Sequence, residues 1–236
     1  MSNQPVAIIT GGGSGIGLAT ARQLAALDYR LVLSGRRDAP LQAAANELGP
    51  SRTECVAADV SQPADAALVV QSAITRFGRV DVLINNAGHA PLANIDHTTP
   101  ELLDEVFGIN TFAPAYLIAA CWPHMTGQRA GCIINLSTLG THDPFPGFFA
   151  YAAAKAAVNL MARSCAKEGA RQGIRAFSIA PGAVETAMLR ANFPASRVPP
   201  SACLKPEDVA ALIVACITGR YDPRNGDTIY ISAQSG

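Results

Sequence analysis

Apolar residues along the chain fall into two alternating patterns. Short runs rich in β-branched residues, "VAIIT" (6–10), "RLVLSG" (30–35), "TECVAAD" (53–59), "VDVLINN" (80–86), "GCIINLS" (131–137), "IRAFSIA" (174–180) and "DTIYIS" (227–232), predict strands. Longer alanine-rich amphipathic stretches between them predict helices near 15–27, 39–48, 63–77, 100–126, 150–170 and 206–218, the one at 100–126 broken. Several strand runs are apolar throughout, as a parallel sheet covered on both faces requires. Alternating β and α with right-handed crossovers predicts an α/β, doubly wound sheet of about seven parallel strands with helices on both sides. No linker, repeat or low-complexity segment interrupts it, so residues 1–236 read as a single domain. The longest irregular stretch, "NFPASRVPPSACLKPED" (192–208), is expected to act as a lid or binding loop.

Composition narrows the function classes. Hydrophobic residues make up 49% and charged residues 15%, with 18 basic against 18 acidic side chains. Without a basic block, neither nucleic acid nor an anionic membrane is an expected partner. No uninterrupted apolar run reaches the roughly 18–20 residues that cross a bilayer, and "MSNQP" lacks the charged start and apolar core of a secretory signal. The six cysteines lie scattered in apolar surroundings with no C-x-x-C pair, which suits buried thiols in a reducing cytoplasm. The four histidines show no metal-ligand spacing, and no G-x-S-x-G elbow occurs, so metal and hydrolase readings are set aside.

After the first strand run comes "GGGSGIG", five glycines in seven residues, opening a helix. Glycine loses more conformational freedom on folding than any other residue, so backbone proximity must require it. A β-α turn that lets a phosphate approach a helix N-terminus is such a requirement. A P-loop would need Lys after its last glycine, where Leu18 stands, and no register satisfies G-x-G-x-x-G. The pattern present is T-G-x-x-x-G-x-G, from Thr10, Gly11, Gly15 and Gly17.

Further motifs follow in order: "NNAG" (85–88), "INLST" (134–138), "YAAAK" (151–155) and "APGAVET" (180–186). Together they resemble the short-chain dehydrogenase/reductase family in its single-domain, Rossmann-fold form, and the resemblance spans nearly the whole chain. It implies that Gly11, Gly13, Ser14, Gly15, Ile16 and Gly17 wrap a pyrophosphate, and that Asp59 and Val60 meet the adenine. It also implies that Asn86, Ala87 and Gly88 line the central ribose, and that Pro181, Gly182, Val184 and Thr186 hold the nicotinamide carboxamide. A carboxylate closing the second strand would select NAD(H) by bonding the free ribose hydroxyls. Gly35 stands there instead, followed by Arg36 and Arg37, whose guanidinium groups suit a 2′-phosphate, so the expected cofactor is NADP(H), with NAD(H) as the alternative.

The chemistry implied is hydride transfer between nicotinamide and a carbonyl or secondary alcohol, with Tyr151 as general acid/base. A free phenol, with a pKa of about 10, exchanges protons poorly near neutrality. Lys155, four residues on and thus on the same helical face, would lower it and also hold the cofactor. The family normally places Ser thirteen residues before the Tyr; here that position is Thr138, preceded by Ser137. Thr138 is favoured as the catalytic hydroxyl, because Asn135 and Tyr151 agree on an ungapped register. Ser137 is the alternative if S-x-x-G with Gly140 is the true anchor. Asn110, in "GINTF", resembles the family's helix-kinking Asn, whose backbone carbonyl holds a water of the proton relay.

His89 and His142 are expected at the mouth of the site, as substrate contacts or equally as exposed loop residues. The apolar wall "GTHDPFPGFF", with Phe193 in the lid, suits a medium-sized, partly apolar carbonyl compound. By the resemblance, helix 151–170 and the one near 111–126 form a dimer face, so a homodimer or homotetramer is expected. The competing class is a non-catalytic dinucleotide-binding sensor or scaffold; such branches lose Tyr or Lys, and both are present here.

Overall fold

The structure, a computed structural model, describes residues 4–233; the end of "YISAQSG" (234–236) lies outside that range. Seven strands form one sheet: β1 Val6–Thr10, β2 Arg30–Gly35, β3 Thr53–Ala57, β4 Val82–Asn85, β5 Gly131–Leu136, β6 Ile174–Pro181 and β7 Thr228–Ile231. Their order is β3-β2-β1-β4-β5-β6-β7, and every neighbouring pair is parallel. The helices are α1 Gly15–Ala26, α2 Asp38–Leu48, α3 Pro63–Phe77, α4 Pro100–Phe107, α5 Ala113–Gln128, α6 Phe149–Gly169, α7 Ala187–Asn192 and α8 Pro206–Ile217.

Strand side chains alternate between two cores, as a pleat of period two demands. Val6 and Ile8 of β1 point with Leu83 and Ile133 toward α3, α5 and α6, which supply Val69, Leu117, Cys121 and Ala162. Ala7 and Ile9 point with Leu33, Ile84 and Phe177 toward α1, α2 and α8, which supply Leu24, Leu41, Val209 and Ile213. With both faces buried, the runs read as continuously apolar.

Local signals set the helix ends. α3 begins with Pro63 and stops at Gly78 in a left-handed conformation (φ 80°). α4 is capped by Thr99, whose hydroxyl accepts from the Leu102 N–H at 3.3 Å. The break expected within 100–126 is a π turn, Gly108–Phe112. The strands expected at 131–137 and 227–232 stop one residue short, and those at 53–59 and 80–86 end early because their last residues turn away: the Asp59 N–H bonds the Asp65 carboxylate (2.8 Å) and the Asn86 N–H the Thr10 hydroxyl (3.0 Å). Taken as one stretch, Pro100–Gln128 reaches membrane-spanning length with a mean hydropathy of 1.2. Here it is interrupted by the π turn and packs Leu117, Cys121 and Met125 into the first core. All six cysteines are free.

Candidate active site

Strand order reverses between β1 and β4, and in an open parallel sheet the crevice at the strands' carboxyl ends opens there. The Thr10 hydroxyl closes this seam: it donates to the Ile84 carbonyl (3.4 Å) and accepts from the N–H groups of Asn86 and Ala87 (both 3.0 Å). Asn86 returns the tie by donating from Nδ2 to the Thr10 carbonyl at 2.8 Å. Thr10 belongs to the glycine motif, yet its clamping role depends on a strand some seventy residues away, which local spacing cannot reveal.

A cavity of about 1330 Å³ runs from this seam. Gly11, Gly13, Ser14, Gly15 and Ile16 line one end with Arg36, Arg37, Asp59 and Val60; Asn86, Ala87 and Gly88 follow; Ser137, Thr138, Tyr151, Lys155, Pro181, Gly182, Val184 and Thr186 line the other. Of the residues expected at the site, Gly17 and Asn110 lie behind the wall. At Gly17 a Cβ would stand 2.3 Å from the Gly11 carbonyl oxygen, so this glycine allows α1 to touch the turn. Gly11 has φ +65°, and its added Cβ would meet Asn86 Nδ2 at 2.7 Å. The first-turn N–H groups of α1 have no partners inside the helix and carry its positive dipole end. Those features fit a pyrophosphate. Arg36 and Arg37 are exposed at the end of β2, and neither forms an ion pair among the described residues.

At the catalytic end, Tyr151 and Lys155 share the first turns of α6, with Lys155 Nζ 5.9 Å from the tyrosine ring centre. The Lys155 ammonium is buried and donates to the Leu136 carbonyl at 2.7 Å. Burial pulls its pKa down to about 8 and pushes the Tyr151 phenol up to about 12, since each charged form loses water. A Cβ on Gly88 would stand 2.8 Å from Asn110 Oδ1 and 3.5 Å from Lys155 Nζ, so glycine is what lets these two groups converge. Asn110 is fully buried in the π turn; its Nδ2 donates to the carbonyls of His89 (2.7 Å) and Val106 (2.9 Å), and its Oδ1 accepts from the His89 N–H. The Thr111 hydroxyl pins the same turn to the Ala154 carbonyl on α6 at 2.9 Å.

The two candidate hydroxyls differ in their surroundings. Ser137 is buried, and its Oγ donates to the Lys155 carbonyl at 3.4 Å. Thr138 is half-buried, and its Oγ1 accepts from the Gly140 N–H at 3.2 Å, which leaves the hydroxyl proton for another acceptor. Of the histidines expected at the mouth, His89 lines the cavity with Nε2 3.3 Å from Glu105. His142 does not line it; its ring packs against Tyr230, centroids 5.6 Å apart. The chain enters the lid through helix α7, unforeseen in the sequence and capped by the Thr186 hydroxyl accepting from Leu189 N–H. No group of three or more metal-ligating side chains occurs among the described residues.

Residues 5–197 match the family described as short chain dehydrogenase. The chain belongs to that family. It is 32% identical over 213 residues to an uncharacterized oxidoreductase of Staphylococcus aureus strain MW2, covering 90% of each chain. A relative similarly described in Staphylococcus epidermidis is 32% identical over 185 residues, covering 78% of this chain and 80% of that one. Among solved structures, 3-ketoacyl-(acyl-carrier-protein) reductase from Brucella melitensis, complexed with NADH, superposes with a TM-score of 0.92 at 30% identity, covering 98% of both chains. Levodione reductase superposes with a TM-score of 0.90 at 30% identity, covering 97% of this chain and 96% of that one. As a short chain dehydrogenase, the chain is an oxidoreductase with a nicotinamide dinucleotide fold.

Proposed function

We propose that this oxidoreductase uses NADP(H) to interconvert a carbonyl compound and its secondary alcohol, with Tyr151 as general acid/base. The observation that carries the reading is one continuous cavity joining the glycine turn and Arg36 to Tyr151 and Lys155. The nicotinamide, when bound, supplies or accepts the hydride. In the reducing direction the Tyr151 hydroxyl donates its proton to the substrate oxygen as the carbonyl carbon is reduced, and Thr138 steadies that oxygen by a hydrogen bond. The Lys155 ammonium stabilises the resulting tyrosinate, offsetting the burial that otherwise raises the phenol to about 12. Asn110 holds the turn beside Lys155 through which a proton can return from water.

Arg36 supports NADP(H) over NAD(H), since an exposed guanidinium without a carboxylate partner can take a 2′-phosphate in bidentate fashion. The groove between α5 and α6, about 540 Å³ and lined by Ile118, Trp122, Leu160 and Met161, supports pairing of two copies. NADPH oxidation at 340 nm against ketones, aldehydes and oxoacyl thioesters tests the activity. Tyr151→Phe should cost about 10²–10⁴ in kcat; turnover undiminished in that variant defeats the reading. Arg36→Asp should remove the preference for NADPH, and a tenfold better use of NADH by the unaltered protein would falsify the cofactor choice.

A further inference from the structure

Beyond Tyr151 the cavity is walled by rings. Phe148, the residue before α6, stacks obliquely on Tyr151 with centroids 5.4 Å apart. Phe193, the residue after α7, meets Phe148 at 6.0 Å and 73°, and Phe145 meets it at 6.3 Å and 72°. All three line the cavity and none is fully buried, so apolar ring surface stays open to whatever occupies the cleft. Phe148 comes from the body of the fold and Phe193 from the lid, so the lid's position sets their spacing.

Arg190 fixes that position. Its guanidinium bonds the Glu185 carboxylate (Nε to Oε1, 2.6 Å) and donates to the carbonyls of Phe193 (3.3 Å) and Val198 (2.7 Å). Those carbonyls bracket residues 194–197, so one cation gathers the loop and places the Phe193 ring. Asn192 Nδ2 ties the end of α7 to the Ala90 carbonyl across the cleft at 2.7 Å.

Resting on the reading of Tyr151 given above, we propose that Phe148 and Phe193 form a specificity clamp for ketones that carry a flat, uncharged ring beside the reacting carbon. Arg190 is its positioning residue. Two rings near a right angle offer a face and an edge together, and a flat third ring satisfies both. An extended acyl chain has no face to offer and gives up more rotamer freedom on binding. Of the two arginines here, Arg190 is neutralised by Glu185, while Arg197 forms no ion pair among the described residues and lies over the Phe193 ring at 5.2 Å.

The test compares a phenyl alkyl ketone with a linear methyl ketone of equal carbon count and a linear 3-oxoacyl thioester, using NADPH and the full chain. The phenyl ketone should show kcat/KM at least about tenfold higher. Phe193→Leu, which keeps apolar bulk without a ring, should erase that preference through KM, with NADPH affinity by fluorescence titration and thermal stability unchanged. Arg190→Gln should weaken the preference in the same way, and Arg190→Lys should restore part of it. A linear substrate preferred by the wild type, in turnover lost by Tyr151→Phe, overturns the clamp alone. So does Phe193→Leu lowering kcat equally for both ketone types. No ketone turnover in the wild type overturns the reading of Tyr151 and the clamp together.

Discussion

Lys155 bears the clearest conflict between folding and chemistry. Its ammonium is buried, and its pKa lies near 8 where a free lysine sits near 10.5. Between those values the unfolded chain binds more protons, so this group makes stability rise with pH across roughly pH 8 to 10.5, and the gain is lost as pH falls through 8. The buried thiols of Cys121 and Cys132, pushed up to about 12, act in the opposite sense above about pH 9, so the effect must be read as a difference. Lys155→Met should be inactive yet melt higher at pH 7, with its advantage narrowing toward pH 10.5 in calorimetry. An advantage flat in pH would remove burial of the charge as the cause. Thr138→Val should lose most kcat while Ser137→Ala keeps it, because only the threonine hydroxyl proton is uncommitted; the reverse result moves the role to Ser137. Tyr151 and Lys155 line one cavity, and their one-turn spacing pointed to them only in company with the other motifs in order. Phe145 and Phe148 were legible only as an aromatic, apolar loop, since a segment without a period does not say which rings will meet.

At the scale of elements, the glycine turn and α1 behave as one part. Gly17→Ala drives a methyl group to 2.3 Å from the Gly11 carbonyl, and the helix must back away. That overpacking should cost about 1–3 kcal/mol, a fall of several degrees in Tm, and should weaken NADPH binding more than tenfold. Retained affinity by titration would show that the turn adapts. Elements with strong end signals were read closely: α3, bounded by Pro63 and Gly78, spans the residues its pattern predicts. Helix α7 escaped notice because six residues carry too little periodicity, and its cap and lid contacts hold it. The π turn was legible as a break and, through the resemblance of Asn110 in "GINTF", as a kink, but not in its geometry, because its hydrogen bonds depend on His89 and Ala154 from other elements.

At the scale of the molecule, α5 and α6 leave Leu160 61% exposed beside Trp122 on a mostly apolar face that also carries Ser164 and Glu168. Light scattering at micromolar concentration should give a multiple of the 24.5 kDa chain mass, and Leu160→Glu should return it to one copy. A monomer in the unaltered protein removes that expectation. The clamp between Thr10 and residues 84–87 has a kinetic side as well. It joins residues some seventy-five positions apart, so its loop costs more entropy to close than the pairing of β1 with β2. Closure of this pairing is therefore expected to follow that of β1 with β2, and a folding φ-value for Thr10→Val near zero would show it. A dinucleotide lying across the seam would act as a splint, slowing hydrogen exchange at Asn86 and Ala87 more than at the centre of β5. A dinucleotide bound there would thus also lengthen the life of the folded chain.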